Sequence, residues 1–384
     1  MIQSKILLQF GLLIAFITGS GFINDSGLNN FTNQENSNSN TSKEDCIRIG
    51  LLIPDQQTLS AKHGAELAIR RANDKGGYSG KTFKLITRSV EGPWGAGSKE
   101  SVNLVFEDEV VAILGSLDGR NAHLAEQVAT KAHIVFLSTL ATDPSLSQAF
   151  VPWYFRCLPS DKQQGEALFH EIYEKKLMKN VATIASSDYD AMLAANTFSK
   201  ILVAEGKKAP EQIFYTSTFE AIKEFLILLK TAEIESIVFF GKADSSLKII
   251  EQIRKRELQQ HIFGNISLLE DESILRSAGS ILEGAIIVSP NHYNTLQGRK
   301  FKQDFIKVYG YSPDIAAAYA YDGMNLILKA ISKDGFDLEK IRDSLSQINY
   351  KDGVTGEIHF DDKGNRMGKV GLIKVKNGKA VNIH

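Results

Sequence analysis

The chain carries almost no excess charge of either sign: 44 Lys and Arg against 45 Asp and Glu leave a formal charge of −1 over 384 residues. Without a basic face it has no field to hold nucleic acid. Without an acidic block it has no polyanionic interaction tail. Cysteine is nearly absent, with Cys46 and Cys157 alone. Two cysteines give no spacing signature. An oxidising compartment would permit a bond between them, but Cys46 should open the first strand and Cys157 should lie in a segment leaving the first lobe, so a bond is not expected. No Cys or His pair has metal-ligand spacing, and no metal is expected.

Catalytic signatures are missing as well. The stretch GYSGKT at 77–82 has its first glycine at the wrong spacing for a phosphate loop, and it enters a strand rather than a helix. Gly95 and Gly97 begin a dinucleotide fingerprint, but Glu100 stands in place of the third glycine. His170-Glu171 lacks the second histidine of a zinc-protease helix. There is no G-x-S-x-G elbow, and the 8 histidines are scattered. Catalysis needs a nucleophile, a base and an orienting group placed together, and no such set is visible.

No apolar run reaches the length of about 20 residues that spans a bilayer. The longest, ILLQFGLLIAFIT at 6–18, follows Lys5 and precedes Gly19, Ser20 and Gly21. A basic start, a short apolar run and a small-residue exit describe a secretory signal peptide over 1–21. The alternative is an uncleaved anchor. No cysteine follows the run, so lipid modification is not expected. Residues 22–45, rich in Asn, Ser and Thr, cannot bury enough apolar area to offset their ordering entropy and read as a flexible tether. Export to the periplasm or cell surface is therefore expected.

What remains is long enough for two domains. IRIGLLIP at 47–54 is a continuous apolar strand, and Ala61, Ala65, Ala68 and Ala72 recur after it at helical spacing. KTFKLITRSV, VVAILGS and HIVFLST are further strands with helices between. Apolar runs without alternation fit strands covered on both faces, as in parallel sheets. The pattern pauses at FVPWYFRCLPSDKQQG and restarts with NVATIASS, EQIFYTS, ESIVFFG and QHIFGN. After GAIIVSP, helices are expected near 298–309, 315–332 and 338–347. A β-hairpin or meander closes the chain, its turn chemistry supplied by Asp361, Asp362, Lys363 and Gly364. The reading is α/β, with two doubly wound parallel-sheet lobes. Ligands in such sheets bind beyond the carboxyl ends of the strands.

The order of these pieces resembles the type I periplasmic binding proteins, in the leucine/isoleucine/valine-binding branch used by ABC transporters. The matching segments are GLLIP, HGAELAIRRANDKGG, VVAILGS, FLSTLATDPSL, SSDYDAM, VFFGKADSSLKIIEQIRK, YSPDIAAAYAYDGMNLILKAI and GVTGEIHFDDKGNR. Each is weak alone; together, in order, they span nearly the whole mature chain. The resemblance implies two lobes joined by a three-crossover hinge near 158–160, 287–290 and 353–356. Lobe 1 would comprise 46–159 plus 290–353, and lobe 2 would comprise 160–289 plus 354–384. It implies a monomer that closes on a small molecule, with no reaction and no cofactor, and an ABC permease or a membrane sensor as partner.

The resemblance also places candidate ligand contacts. In lobe 1 these are Ser116, Asp118 and Gly119 after VVAILGS, and Leu140, Ala141 and Thr142 in the next loop; Thr142 alternatively caps the helix around Asp143-Pro144. In lobe 2 they are Tyr189, with Asp190 replacing the glycine that follows it in the family, then Lys242 and Asp244, the latter alternatively a helix N-cap. Trp94 and Tyr293 could cover the ligand at a rim or pack on a neighbouring helix. Amino-acid binders place a glutamate near Gly264; here the residues are Asn265, Ile266 and Ser267, with Glu270 or Asp118 as possible substitutes. Removing one partner of a buried ion pair costs about 3–5 kcal/mol, against about 8 kcal/mol for micromolar binding. An α-amino acid held in the usual way is therefore not expected. A small polar ligand, an amino acid or related metabolite, is. A ligand sensor, a non-binding envelope scaffold or activator, and an envelope hydrolase are the alternatives on the same fold.

Overall fold

The computed structural model describes residues 46–383, apart from 94, 149–150, 217–218, 232, 270–272 and 290–294. The proposed signal peptide and tether, Trp94, Glu270 and Tyr293 thus lie outside the described residues. The body from 45 to 384 forms one compact unit that contains two sheets.

The first sheet is built from β1 (Cys46–Ile53), β2 (Thr82–Ser89), β3 (Ala112–Gly115), β4 (Val135–Ser138) and β5 (Tyr154–Arg156), with α1 (Ser60–Asp74), α2 (Ala96–Phe106) and α3 (Gly119–Ala132) between them. Its order is β2-β1-β3-β4-β5, and every pairing is parallel. The chain then runs through α4 (Asp161–Phe169), β6 (Val181–Ser186), α5 (Tyr189–Ala204), β7 (Glu211–Tyr215), α6 (Phe219–Thr231), β8 (Ser236–Phe240), α7 (Ala243–Arg254), β9 (His261–Gly264), α8 (Ser273–Ser277) and β10 (Ile286–Val288). Helices α9 (Leu296–Tyr309), α10 (Ile315–Asp334) and α11 (Leu338–Ser346) return to the first sheet: α9 and α10 lie on α1, and α11 on β4. Strands β11 (Leu372–Lys376) and β12 (Lys379–Asn382) complete the second sheet, ordered β12-β11-β10-β9-β8-β6-β7. Strands β6 to β10 are parallel there, and β11 and β12 add an antiparallel edge.

Strands β3 and β4 are buried along their whole length. This is the physical content of their unalternating apolar sequences: helices cover both faces. The alanine stripe of α1 serves close packing. Ala61, Ala65 and Ala68 are fully buried, and a Cβ on Gly64 would come within 2.2 Å of the Ala317 carbonyl oxygen of α10. Asp314 caps α10 by accepting from the Ala317 N–H at 2.8 Å and also accepts from the Ser60 hydroxyl at 2.5 Å, so one side chain starts α10 and pins α1.

The closing hairpin differs from the sequence expectation. Its two strands are joined by Asn377 and Gly378, both at positive φ (52° and 66°), the geometry of a tight two-residue turn. The Asp361–Gly364 segment does form a turn, in which Asp361 accepts from the N–H groups of Lys363 and Asn365. That turn is flanked by a single bridge, Phe360 to Arg366, rather than by a ladder. Gly364 lies so close to Tyr154 that a Cβ would sit 2.0 Å from its carbonyl oxygen; the turn is spent on packing against β5.

The chain passes between the sheets after β5, after β10 and after α11. Two of these passages are strapped together. The Arg366 guanidinium donates to the carbonyls of Cys157, Thr355 and Glu357 and to the Thr355 hydroxyl, at 2.7–3.0 Å. Asp322, fully buried in α10, accepts from the N–H groups of Val354 and Thr355 and from the Thr355 hydroxyl. Burial pushes its carboxyl up to about 6 against those bonds. Cys46 and Cys157 are both free thiols.

Candidate functional site

The carboxyl ends of β3 and β4 and the first turn of α5 converge. Ser116, just past β3, is 1% exposed, and its hydroxyl has no hydrogen-bond partner. Asp118 is exposed and caps α3, accepting from the Asn121 N–H at 2.9 Å. That role leaves it turned to its own helix, away from the substitute-acid role considered above. The N–H of Gly119, first residue of α3, donates to both carboxylate oxygens of Asp190, at 3.0 and 3.3 Å. The approach explains the glycine: a Cβ here would come within 2.8 Å of Asp190, 3.1 Å of Tyr189 and 3.2 Å of Asp143.

In the next loop Leu140 is half-buried, and Ala141 and Thr142 are buried. Thr142 does not cap the short 3-10 helix that follows. Asp143 does, accepting from the Ser145 N–H at 2.8 Å and its hydroxyl at 2.6 Å. The Thr142 carbonyl instead accepts from the Asp161 N–H at 2.8 Å and from Arg156 at 2.9 Å.

From the second lobe, Tyr189 reaches across. Its hydroxyl donates to Asp143 Oδ2 at 3.0 Å, and the Arg120 guanidinium of α3 lies 4.8 Å from its ring centroid. Burial, with Asp143 beside it, pushes the Tyr189 hydroxyl up to about 12. Burial alone would raise the Asp143 carboxyl, but hydrogen bonds from His123, Ser145 and Tyr189 overcome it and hold that carboxyl well below the usual range. His123, with Nε2 3.0 Å from Asp143, is raised by that bond. Asp190 is pushed up to about 6 by burial, against the Gly119 N–H and with Asp118, Asp188 and Asp143 adding to the rise.

Lys242 and Asp244 are exposed. Lys242 occupies the N-cap position of α7 and Asp244 lies inside the first turn, so the expectation of Asp244 as N-cap is corrected by two residues. The Lys242 charge reaches Asp55 on the first lobe. Trp94 lies outside the described residues. The structure therefore brings Gly119 and Tyr189 together, sets Ser116 and Thr142 at the neighbouring strand ends, and leaves Lys242 and Asp244 in solvent.

Sequence reasoning passed over three residues beside these. Arg156 is fully buried and donates to the Thr142 carbonyl and to the Ser147 hydroxyl, at 2.9 and 3.4 Å. Asp161, the first residue of α4, is 3% exposed, and neither carboxylate oxygen has a hydrogen-bond partner in good geometry. Burial raises it to about 7, opposed by the nearby Thr142 hydroxyl and Arg156 and reinforced by Asp190 and Asp143. Gln164 bridges the Pro159 carbonyl, at 2.9 Å, and the Ile266 N–H, at 3.0 Å. Beside it Asn265 is buried, with an unpartnered Oδ1. The one available signal was a capping box at Ser160 and Gln163, which fixes the start of α4 and hence where Asp161 and Gln164 point. Among the described residues no three His, Cys, Asp or Glu side chains are placed to hold a metal ion. None of the described helices is long and apolar enough to cross a membrane.

Known proteins share this architecture. The sequence profile described as periplasmic binding protein matches residues 47–379. The Leu/Ile/Val-binding protein of Escherichia coli K12 is 23% identical over 312 residues, covering 79% of this chain and 82% of its own. The Leu/Ile/Val-binding protein homolog 1 of Brucella suis is 23% identical over 311 residues, covering 78% and 81%. Among solved structures, the branched-chain amino acid transporter substrate-binding protein LivJ of Streptococcus pneumoniae, in complex with isoleucine, superposes with a TM-score of 0.74 at 23% identity, covering 88% of this chain and 99% of that one. A solute-binding protein of an ABC transporter from R. palustris, in complex with benzoate, superposes with a TM-score of 0.76 at 18% identity, covering 88% and 95%. With the profile running from the first strand into the last, the chain belongs to the periplasmic binding protein family, of the type represented by those Leu/Ile/Val-binding proteins.

Proposed function

We propose that this protein is an exported solute-binding protein that captures a small polar molecule between its two lobes and delivers it to an ABC permease, without catalysing any reaction. The observation that carries the reading is the meeting of α5 with the starts of α3 and of the 3-10 helix at Pro144–Ser147. Gly119–Asp190 and Asp143–Tyr189 hydrogen bonds join the lobes at the mouths of the strands, where doubly wound sheets bind ligands. The relatives with this architecture include proteins solved with isoleucine and with benzoate. In this reading the chain acts as a monomer, residues 1–21 are removed on export, and 46–159 with 290–353 closes on 160–289 with 354–384. Ser116, Gly119, Leu140, Ala141 and Thr142 face the ligand from the first lobe and Tyr189 from the second. Lys242 and Asp244 stand at the rim. The free energy of closure comes from contacts the ligand makes with both lobes at once.

The test is a thermal-shift screen of the purified mature protein against amino acids, their decarboxylated amines, short peptides and small organic acids. A bound ligand at 100 times its Kd stabilises by about 2.7 kcal/mol, a shift of a few degrees for a chain of this size. A screen without any shift overturns the reading. It would favour a second one, an envelope scaffold with a shut cleft, to which the direct hydrogen bonds between the lobes also point.

A further inference from the structure

The N-terminus of α3 is an anion site by construction. A helix of 14 residues starts at Gly119, its first N–H groups have no partner within the helix, and the positive end of its dipole faces Asp190 of the other lobe. The acceptor at the Gly119 N–H is already supplied by the protein itself. Asp190 crosses from the other lobe and places both carboxylate oxygens within 3.3 Å of that nitrogen. Tyr189, one residue earlier, fixes the approach through Asp143 and Arg120, so the carboxylate does not arrive on a free-swinging arm. A ligand carboxylate aimed at the same N–H would meet Asp190 and the neighbouring Asp118, Asp143 and Asp188.

A second, independent feature lies beside it. The Asp161 carboxylate is buried at 3% exposure with neither oxygen in a well-aligned hydrogen bond, the Thr142 hydroxyl lying nearby, and it is held against the loop after β4 by its own N–H on the Thr142 carbonyl. Arg156, a buried cation whose charge reaches Asp161, gives its two terminal nitrogens to the Thr142 carbonyl and the Ser147 hydroxyl and keeps an unpartnered Nε. Buried acceptors without well-aligned partners are costly, and two carboxylates, of which Asp190 raises the pKa of Asp161, are answered most simply by a cationic donor.

Resting on the solute-binding reading above, we propose that Asp190 is a specificity determinant: it takes the place of a ligand anion at the start of α3, so the cleft rejects carboxylates and selects small amines whose ammonium is met by Asp190 and Asp161.

The experiment uses matched pairs: leucine against 3-methylbutylamine, and benzoate against benzylamine. Binding is measured by calorimetry on the wild type and on Asp190→Asn, Asp190→Gly and Asp161→Asn, each checked for a cooperative melt. The wild type is expected to bind an amine at least about tenfold tighter than its carboxylate partner, the factor that one charge-assisted bond supplies. Asp190→Gly should gain carboxylate affinity by a similar factor, and Asp190→Asn, nearly the same shape without the charge, should lose amine affinity. Asp161→Asn should lose amine affinity without gaining carboxylates. Leucine or benzoate bound by the wild type as tightly as by Asp190→Gly overturns this inference and leaves the solute-binding reading standing. No binding of any of these compounds by any of the four proteins overturns this inference too, while the solute-binding reading falls only if the broad thermal-shift screen is also blank.

Discussion

Asp161 sits between two opposing physical demands. As the first residue of α4 it lies where the helix dipole favours negative charge, worth a fraction of a kcal/mol. Its burial disfavours that charge far more than the Thr142 hydroxyl and Arg156 favour it, and the carboxyl rises from its ordinary 3.8 to about 7. The folded state therefore binds a proton that the unfolded state releases. Between about pH 7 and pH 4 this group makes stability increase as pH falls, by at most about 1.4 kcal/mol per unit for the single proton. Asp161→Asn should be more stable than the wild type at pH 8, and the difference should shrink towards pH 4. Urea denaturation across that range checks it, and parallel curves for the two proteins would contradict it. Such residues are poorly legible in sequence, because a carboxylate after Ser160 looks like any first-turn acid; only burial against Thr142 and Arg156 gives it meaning. Tyr189 was legible as a match to the family pattern and Asp190 as a departure from it, but their partners Asp143 and Gly119 belong to another lobe, and a linear pattern does not record a contact across 46 or 71 positions.

At the scale of elements the sequence was far more readable. Apolar runs without alternation became the buried strands β3 and β4, because both faces are covered. The returning helices begin and end within two residues of their expected bounds, since each starts at a Thr or Asp cap. The hairpin was harder. Two turn signals compete in the tail, and local chemistry alone does not say which one carries a ladder: Asn377-Gly378 joins strands, whereas Asp361–Gly364 packs on β5. The α1–α10 contact was visible only as small residues at helical spacing. Its tolerance is narrow. Gly64→Ala forces a methyl against the Ala317 carbonyl, a backbone atom that moves only with the helix, so it should destabilise by about 1–3 kcal/mol or more, even though alanine favours helix by up to about 1 kcal/mol. Chemical denaturation measures the net sign, and a neutral or stabilising result would mean that the two helices separate easily.

For the whole molecule, the account requires two halves that move as bodies about a strapped set of passages. Arg366 and Asp322 bind the first and third passages to each other and to α10, so motion is confined to few bonds, as hinge closure requires. Under the proposed hinge closure the hydrogen bonds of Tyr189 and Asp190 mark the closed arrangement, and a ligand shifts the population only through its differential affinity for that state. The direct measurement is the distance between the halves. Spin labels at Gln57→Cys and Lys248→Cys, both exposed positions, in a Cys46→Ser background, report it by pulsed dipolar spectroscopy; the remaining Cys157 is buried. With the compound giving the largest thermal shift, the distribution is expected to shorten and narrow. A distribution identical with and without that compound at saturation would contradict the account.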